Sequence, residues 1–206
     1  RIQIVGNDER GLLYGVGKFL RTSYYDMKID SFIPGIWRGT SIPEKEFRGI
    51  YFATHFHNFY HEAPIEEIQT YLEDLALWGY NAIIVWFDMH HFTGIDDPKA
   101  KEMISRLRDI LIAAKNTGIG TGLTMIANEA YGNSPIELRA DQTFPGTRNI
   151  RGGYGVELCP NKPGAKELML RWREELFSVF SDIGIDYIGV GPYDQGGCCC
   201  SKCNPW

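Results

Sequence analysis

The chain has 206 residues, of which 44% are hydrophobic and 23% charged, a balance that provides enough apolar side chains for a sizeable core. The net charge of −5 and the absence of any basic run argue against nucleic acid as a partner. No apolar run approaches the ~18 residues that a membrane-spanning helix requires, so we expect no membrane span.

The first 45 residues predict a strand, a helix and a loop. Ile2, Ile4 and Val5 suggest a short apolar strand, and Asp8 is placed to cap the helix that follows. The stretch 31–43 is rich in Pro, Gly and Ser, which is typical of a linker. No signal-peptide pattern is present, and both ends of the sequence look cut, so we expect targeting information to lie elsewhere.

From residue 46 onward, apolar strands alternate with amphipathic helices. This rhythm is typical of parallel α/β units. Pro64 and Asp96-Asp97-Pro98 have the residue types of helix beginnings, and Gly79 and Gly118 those of helix ends. Strands are predicted near residues 48–54, 81–87, 119–127 and 186–191.

Polar and titratable residues follow each predicted strand, as at the active-site face of a (β/α)8 TIM-type barrel. A doubly wound nucleotide-binding sheet would instead carry a glycine-rich loop after its first strand, and none is present. A whole barrel needs ~250 residues. We therefore predict an α/β fold in which residues 46–206 form the N-terminal half of such a barrel. The residues after the four strands are His55, His57 and Asn58; Asp88, His90 and His91; Asn128 and Glu129; and Asp194 and Gln195.

Three of these residues, Asp88, Glu129 and Asp194, are carboxylates whose strand ends would converge on one pocket. Carboxylates in such a pocket suit glycoside hydrolysis, in which one donates a proton and another stabilises or attacks the sugar. We predict these three as catalytic, with no cofactor required; the structural alternative is that each caps a helix or pairs with an arginine. The predicted substrate-binding residues are His55, His57, His90, Asn128, Tyr193 and Gln195.

A second chemistry is suggested by His55-Phe56-His57. Two imidazoles one residue apart on a strand point the same way and can hold one metal ion. This H-x-H resembles the metal-binding start of the amidohydrolase superfamily, with Asp88 as a further ligand. A metal-dependent hydrolase therefore stays open as an alternative.

The cysteines are concentrated near the end of the sequence. Cys198, Cys200 and Cys203 are close enough in sequence to reach one structural zinc ion, with Cys159 or Cys199 as the fourth ligand. A disulfide and free buried thiols are equally compatible with this spacing.

Several segments together resemble family 20 of the glycoside hydrolases, the β-N-acetylhexosaminidases. Residues 8–20 (DERGLLYGVGKFL) resemble the last helix of the small α+β domain that precedes those barrels, and 47–54 (FRGIYFAT) resemble barrel strand 1. Residues 77–82 resemble the passage into strand 2, and 158–163 together with 186–194 resemble the approach to strand 4. The resemblance implies that residues 1–45 end an α+β domain and that 46–206 begin the barrel.

The resemblance also implies a carbohydrate substrate, an N-acetylhexosaminide or a uronide, and a secreted or periplasmic protein. This sequence differs from the family at the pair of residues that ends strand 4. The family's strand 4 ends in an Asp-Glu pair that orients the substrate and donates the proton, whereas this chain has Asp194-Gln195. Because glutamine cannot act as a carboxylic acid, a non-catalytic glycan-binding barrel stays open beside the glycosidase. The oligomeric state is not indicated by the sequence.

Overall fold

A computed structural model describes residues 1–143, 154–192 and 197–203. The N-terminal part contains helix α1 (Glu9–Arg21) and a small antiparallel hairpin of β1 (Tyr24–Asp26) and β2 (Ser31–Ile33). Residues 2–5 form no strand, which corrects the sequence-based expectation, because none of the strands in the described part of the chain pairs with them. The predicted linker likewise begins later than residue 31, since Ser31–Ile33 pairs with β1.

The centre of the fold is a parallel sheet of four strands in sequential order, with no switch point. This order is that of a barrel in which each strand lies beside the next one in the chain. The predicted α/β fold with the N-terminal half of a barrel is therefore confirmed. The four strands are β3 (Gly49–Tyr51), β4 (Ala82–Trp86), β5 (Gly120–Ile126) and β6 (Tyr187–Gly191).

Helices connect these strands and cover the sheet. The short α2 (Phe59–Glu62) and the longer α3 (Ile65–Trp78) follow β3, α4 (Pro98–Asn116) follows β4, and α5 (Ala165–Ser178) precedes β6. The main core lies between the sheet and these helices. Its fully buried members include Phe52, Ile68, Leu72, Ile83, Val85, Leu107, Ile110, Leu111 and Phe180. Within the described residues, no helix is both long enough and apolar enough to cross a membrane.

Two helix ends show how local sequence sets the boundaries. Asp97 caps α4 by accepting a hydrogen bond from the backbone N–H of Lys99, and Pro98 occupies the first helical position. Helix α3 starts one residue later than predicted, because Pro64 is its N-cap. At the other end of α3, Gly79 adopts the left-handed conformation with φ +95° and ends the helix.

The sheet also depends on a glycine in β5. A Cβ at Gly122 would overlap the side chain of Ile84 on β4 and lie 3.1 Å from Cβ of Tyr187 on β6. A side chain here would force the Ile84 side chain to move, so glycine lets both neighbours pack closely across β5.

The side chains of Asn81 and Arg48 bind backbone groups at the N-terminal ends of β3 and β4. Asn81 Oδ1 accepts from the backbone N–H of Arg48 at 2.8 Å, and Arg48 Nε donates to the Gly79 carbonyl at 2.6 Å. The same Arg48 guanidinium lies 5.2 Å from the ring of Tyr14 on α1, and Arg21 of α1 lies 5.0 Å from the ring of Trp78 on α3. The N-terminal helix is thus packed on the barrel segment; the domain boundary at residue 45 stays a prediction.

Replacing Gly79 tests the left-handed helix end. Because no atom lies within 4 Å of an added Cβ there, Gly79→Ala isolates backbone strain from crowding. We expect a loss of about 1–2 kcal/mol in the free energy of unfolding, seen as a thermal midpoint lowered by a few degrees in the intact protein.

Gly94→Ala is the matched control, because an added Cβ there also meets open space but the backbone is not in the left-handed region. This variant should have an unchanged or slightly raised midpoint. Equal midpoints for the two variants would contradict the proposed strain at Gly79.

Candidate functional site

The C-terminal ends of β4 and β5 are joined through the buried carboxylate of Glu129. Its Oε1 accepts hydrogen bonds from Trp86 Nε1 and from the backbone N–H of Met89, both at 2.9 Å. Its Oε2 accepts from the backbone N–H of Ile126 at 3.2 Å. With 2% of its surface exposed, Glu129 has both oxygens engaged by the protein itself.

The surroundings of Glu129 change its pKa in two opposite directions. Burial raises the pKa of Glu129 to about 7, although the nearby Arg173 guanidinium, 3.8 Å from Oε2, and the N–H donors lower it. The neighbouring Asp88 carboxylate adds to the increase. The contacts are those of a group that holds two strand ends together, and its predicted catalytic role stays a prediction.

Asp88 follows β4 and is as deeply buried as Glu129, but its contacts are different. Its Oδ1 contacts Nδ1 of His90. Its Oδ2 lies 3.8 Å from Nε2 of His91, too far for a hydrogen bond, and has no hydrogen-bond donor among the described residues. A buried carboxylate oxygen without a donor is costly, so the described residues leave the hydrogen bonding of Asp88 incomplete.

The two histidines after β4 differ in exposure. His90 is largely buried, and its ring stacks on Tyr154 with centroids 3.3 Å apart. His91 is half exposed; burial and the neighbouring His90 lower the pKa of His91, and Asp88 opposes them. One ligand atom from each of Asp88, His90 and His91 lies within 4.8 Å of the others, so this set could also hold a cation.

His55 is positioned by the residue before it. Thr54 Oγ1 donates to the Trp86 carbonyl at 2.8 Å and accepts from the Trp86 backbone N–H at 2.9 Å, so a side chain extends the β3–β4 pairing. The His55 ring consequently lies 4.8 Å from that of Trp86, and its Nδ1 contacts the hydroxyl of Tyr51. Burial, with Asp88 and Glu129, raises the pKa of Tyr51. His55, Asp88 and Glu129 are therefore neighbours at one edge of the sheet.

The other predicted residues are placed differently. The side chain of His57 is 73% exposed, and its Nε2 lies 2.9 Å from Oε1 of Glu62 on α2, so His55 and His57 have separate partners. Asn58 caps α2 by accepting from the backbone N–H of Tyr60. Asn128 is buried and donates to the Leu158 carbonyl at 3.0 Å, which ties the end of β5 to the segment before α5.

Tyr193, Asp194 and Gln195 lie outside the described residues. Sequence reasoning missed Tyr51, Thr54, Tyr154 and Arg173 as contributors to this site. Thr54 could have been found, because it ends a predicted strand. Arg173 could not, since nothing in the helical pattern of α5 indicates that its guanidinium reaches the Ile126 carbonyl at 2.7 Å.

The raised pKa of Glu129 predicts a pH-dependent stability. A carboxyl whose pKa is higher in the folded than in the unfolded chain stabilises the fold below about pH 4.5, and this contribution is lost as the pH rises through about 7. We expect the wild type to lose on the order of 3 kcal/mol over this range through Glu129. In Glu129→Gln this part of the pH dependence should disappear.

The quantity to compare is the change in the free energy of unfolding with pH. Its value at one pH is not informative, because the glutamine amide loses hydrogen bonds at every pH. Thermal unfolding of the intact protein from pH 4.5 to 8 measures this change. Glu102→Gln, a change at an exposed position on α4, is the control and should retain the wild-type slope. An unchanged slope in Glu129→Gln would show that Glu129 does not titrate in this range.

No protein-family model matches the sequence, and no curated protein matches it significantly. Among solved structures, the fold is similar to a family 20 exo-β-N-acetylglucosaminidase from Vibrio harveyi, with a TM-score of 0.52 and 16% identity over 88% of this chain and 32% of that one. It is also similar to the family 20 β-N-acetylhexosaminidase from Streptomyces coelicolor A3(2), with a TM-score of 0.55 and 17% identity over 88% of this chain and 40% of that one.

A third similar structure is the family 20 chitobiase from Flavobacterium johnsoniae, with a TM-score of 0.53 and 17% identity over 90% of this chain and 29% of that one. The chain thus spans about a third of the length of these structures. At such identities the likeness concerns the fold. It confirms the predicted resemblance: this chain has a fold like that of part of the family 20 glycoside hydrolases.

Proposed function

We propose that the intact protein is a glycoside hydrolase that cleaves an O-glycosyl bond of a carbohydrate. The observation that carries the proposal is the Asp88 carboxylate, buried at the C-terminal end of β4 with one oxygen lacking a donor among the described residues. Barrel enzymes bind their substrates at this edge of the sheet. Support also comes from the similar Vibrio harveyi enzyme, whose structure is a complex with N-acetylglucosamine.

Asp88 is proposed to accept a hydrogen bond from a sugar hydroxyl through Oδ2. Oδ1 is already held by His90, and His90 is in turn held by stacking on Tyr154, so Oδ2 has a fixed direction. A hydrogen bond to a charged group is worth about 1.5–3 kcal/mol, and the donor would also satisfy a buried acceptor.

An aromatic surface lies beside His55 at the same edge of the sheet. The ring of Phe56 is 65% exposed and lies 3.9 Å from the ring of His55, which in turn contacts Trp86. Apolar faces of sugar rings pack on such side chains. His55, His57, His90, Asn128, Tyr193 and Gln195 are proposed to contact the substrate, an N-acetylhexosaminide or a uronide.

Asp194 is proposed as the principal catalytic carboxylate, with Asp88 orienting the sugar and Glu129 in support. In glycoside hydrolysis the leaving oxygen gains a proton while water supplies the new bond at the anomeric carbon. Glu129 is surrounded by N–H donors and an arginine, so we assign it to holding Trp86 and Met89 rather than to the proton transfer. Gln195 can donate hydrogen bonds but has no carboxyl proton.

One observation favours a second candidate, a metal-dependent hydrolase. The ligand atoms of Asp88, His90 and His91 lie close enough to bind one cation. The pair His55 and His57 is a less suitable metal site, because the two imidazoles contact different partners. A carbohydrate-binding barrel without activity is the third outcome that the experiments below distinguish.

Turnover of aryl glycosides tests the proposal directly. The intact wild type should hydrolyse at least one member of a panel that includes N-acetylhexosaminides and glucuronides. Asp194→Asn should lose ~10²–10⁴-fold in kcat, because the amide retains the shape of the side chain but cannot transfer a proton. An active wild type with an unimpaired Asp194→Asn variant would refute the catalytic assignment.

Asp88→Asn tests the binding role. We expect about a 10- to 100-fold fall in kcat/KM, since the variant loses the charged acceptor. The control is Asp74→Asn, an exposed carboxylate on α3, which should behave as the wild type. Loss of activity on dialysis against a chelator of divalent cations, regained with metal, would instead support the hydrolase built on Asp88, His90 and His91. Sugar binding without any turnover would identify a glycan-binding barrel.

A further inference from the structure

Four cysteines from two distant parts of the chain meet outside the proposed sugar site. Cys159 precedes α5, whereas Cys198, Cys200 and Cys203 follow β6. Their sulfur atoms all lie within 4.8 Å of one another, and none of the five cysteines forms a disulfide. Three of the four are buried, and Cys200 is partly exposed.

The sulfur separations have the size expected around one metal ion. Cys159 Sγ lies 3.8 Å from Sγ of Cys200 and 3.8 Å from Sγ of Cys203. In a tetrahedral zinc site with Zn–S bonds of ~2.3 Å, neighbouring sulfurs are about 3.8 Å apart. A disulfide would require a sulfur separation near ~2.05 Å.

Donors surround the sulfurs as they do around bound thiolates. The backbone N–H groups of Asp141 and Cys200 point to Cys198 Sγ at 3.3 and 3.4 Å, and Asn161 Nδ2 lies 2.9 Å from Cys203 Sγ. Such N–H contacts favour the anionic form of a sulfur ligand and orient it. Four neutral thiols would gain less from them, because sulfur is a weak acceptor.

We propose that Cys159, Cys198, Cys200 and Cys203 bind one structural zinc ion. Four sulfur ligands in a tetrahedral arrangement suit zinc, and a site with four protein ligands leaves no position for a substrate or a reacting water. Cys159 is the fourth ligand. Cys199, the other candidate, is not part of the cluster, and its backbone N–H donates to the Asp141 carbonyl at 2.7 Å.

The zinc would link Cys159 to residues 198–203, and residues 138–141 are hydrogen-bonded to both of these segments. The Ala140 N–H donates to the Glu157 carbonyl at 2.8 Å and the Cys159 N–H to the Leu138 carbonyl at 2.9 Å, and the Asp141 carbonyl accepts from the Cys199 N–H. Among the described residues, the apolar environment of the sulfurs consists of the cysteines themselves and Ala140. Metal binding would add to this limited contact and strengthen the attachment of residues 197–203.

Metal analysis of the intact protein, prepared without added zinc or affinity tags that bind metal, tests the proposal. We expect about one zinc per chain, released when a mercurial reagent blocks the thiols. Cys159→Ser and Cys200→Ser should each lose most of the zinc, whereas Cys199→Ser should retain it. Cys199 is the matched control, since it is a buried neighbour with the same chemistry.

Cobalt substitution keeps the proposal testable if a serine variant fails to fold. Wild-type protein refolded with Co²⁺ should show the strong visible bands of a four-coordinate ion and the near-ultraviolet bands of thiolate-to-cobalt charge transfer. Bands of a six-coordinate ion, iron in place of zinc, loss of zinc in Cys199→Ser alone, or a mass two hydrogens lower per bridge under non-reducing conditions would each overturn the proposal.

Discussion

The arrangement at the carboxyl edge of the sheet depends on one buried charge-bearing group, Glu129. Desolvation of a carboxylate costs several kcal/mol, and three N–H donors with a nearby guanidinium offset part of this cost. The donors come from the end of β4, from the turn after it and from β5. Through these contacts Glu129 fixes the indole of Trp86 and the backbone of Met89, and thus the turn that carries Asp88.

Asp88 and Glu129 show how two equally buried carboxylates can have different uses. Glu129 has its hydrogen-bonding capacity filled by the protein, whereas Asp88 has one oxygen without a donor among the described residues. A fold gains nothing from such an oxygen, because an unsatisfied buried acceptor destabilises it. This difference in hydrogen bonding, rather than burial or position after a strand, is the reason for proposing Asp88 as the residue that binds the substrate.

The features that sequence reasoning recovered depend on residues close together in the chain. Asp97, Pro98 and Gly79 mark helix ends by their own hydrogen bonds and dihedral angles, and the apolar run of β4 indicates a strand covered on both faces. Two of the errors have a common cause. The sequence of residues 2–5 resembles a strand, but no strand in the described residues pairs with it. The sequence of Ser31–Ile33 resembles a linker, but this segment pairs with β1. Strand formation depends on a neighbour that local sequence does not reveal.

Distance along the chain also limited what could be inferred about both sites. Glu129 lies 43 residues from Trp86, and Cys159 lies 44 residues from Cys203, so neither pairing follows from spacing. The choice between Cys159 and Cys199 could be made only when the connection before α5 was seen to approach the segment after β6. We propose different roles for the two groups. The cysteine cluster would hold chain segments together without reacting, whereas Asp88, whose Oδ2 has no donor among the described residues, would interact with a substrate.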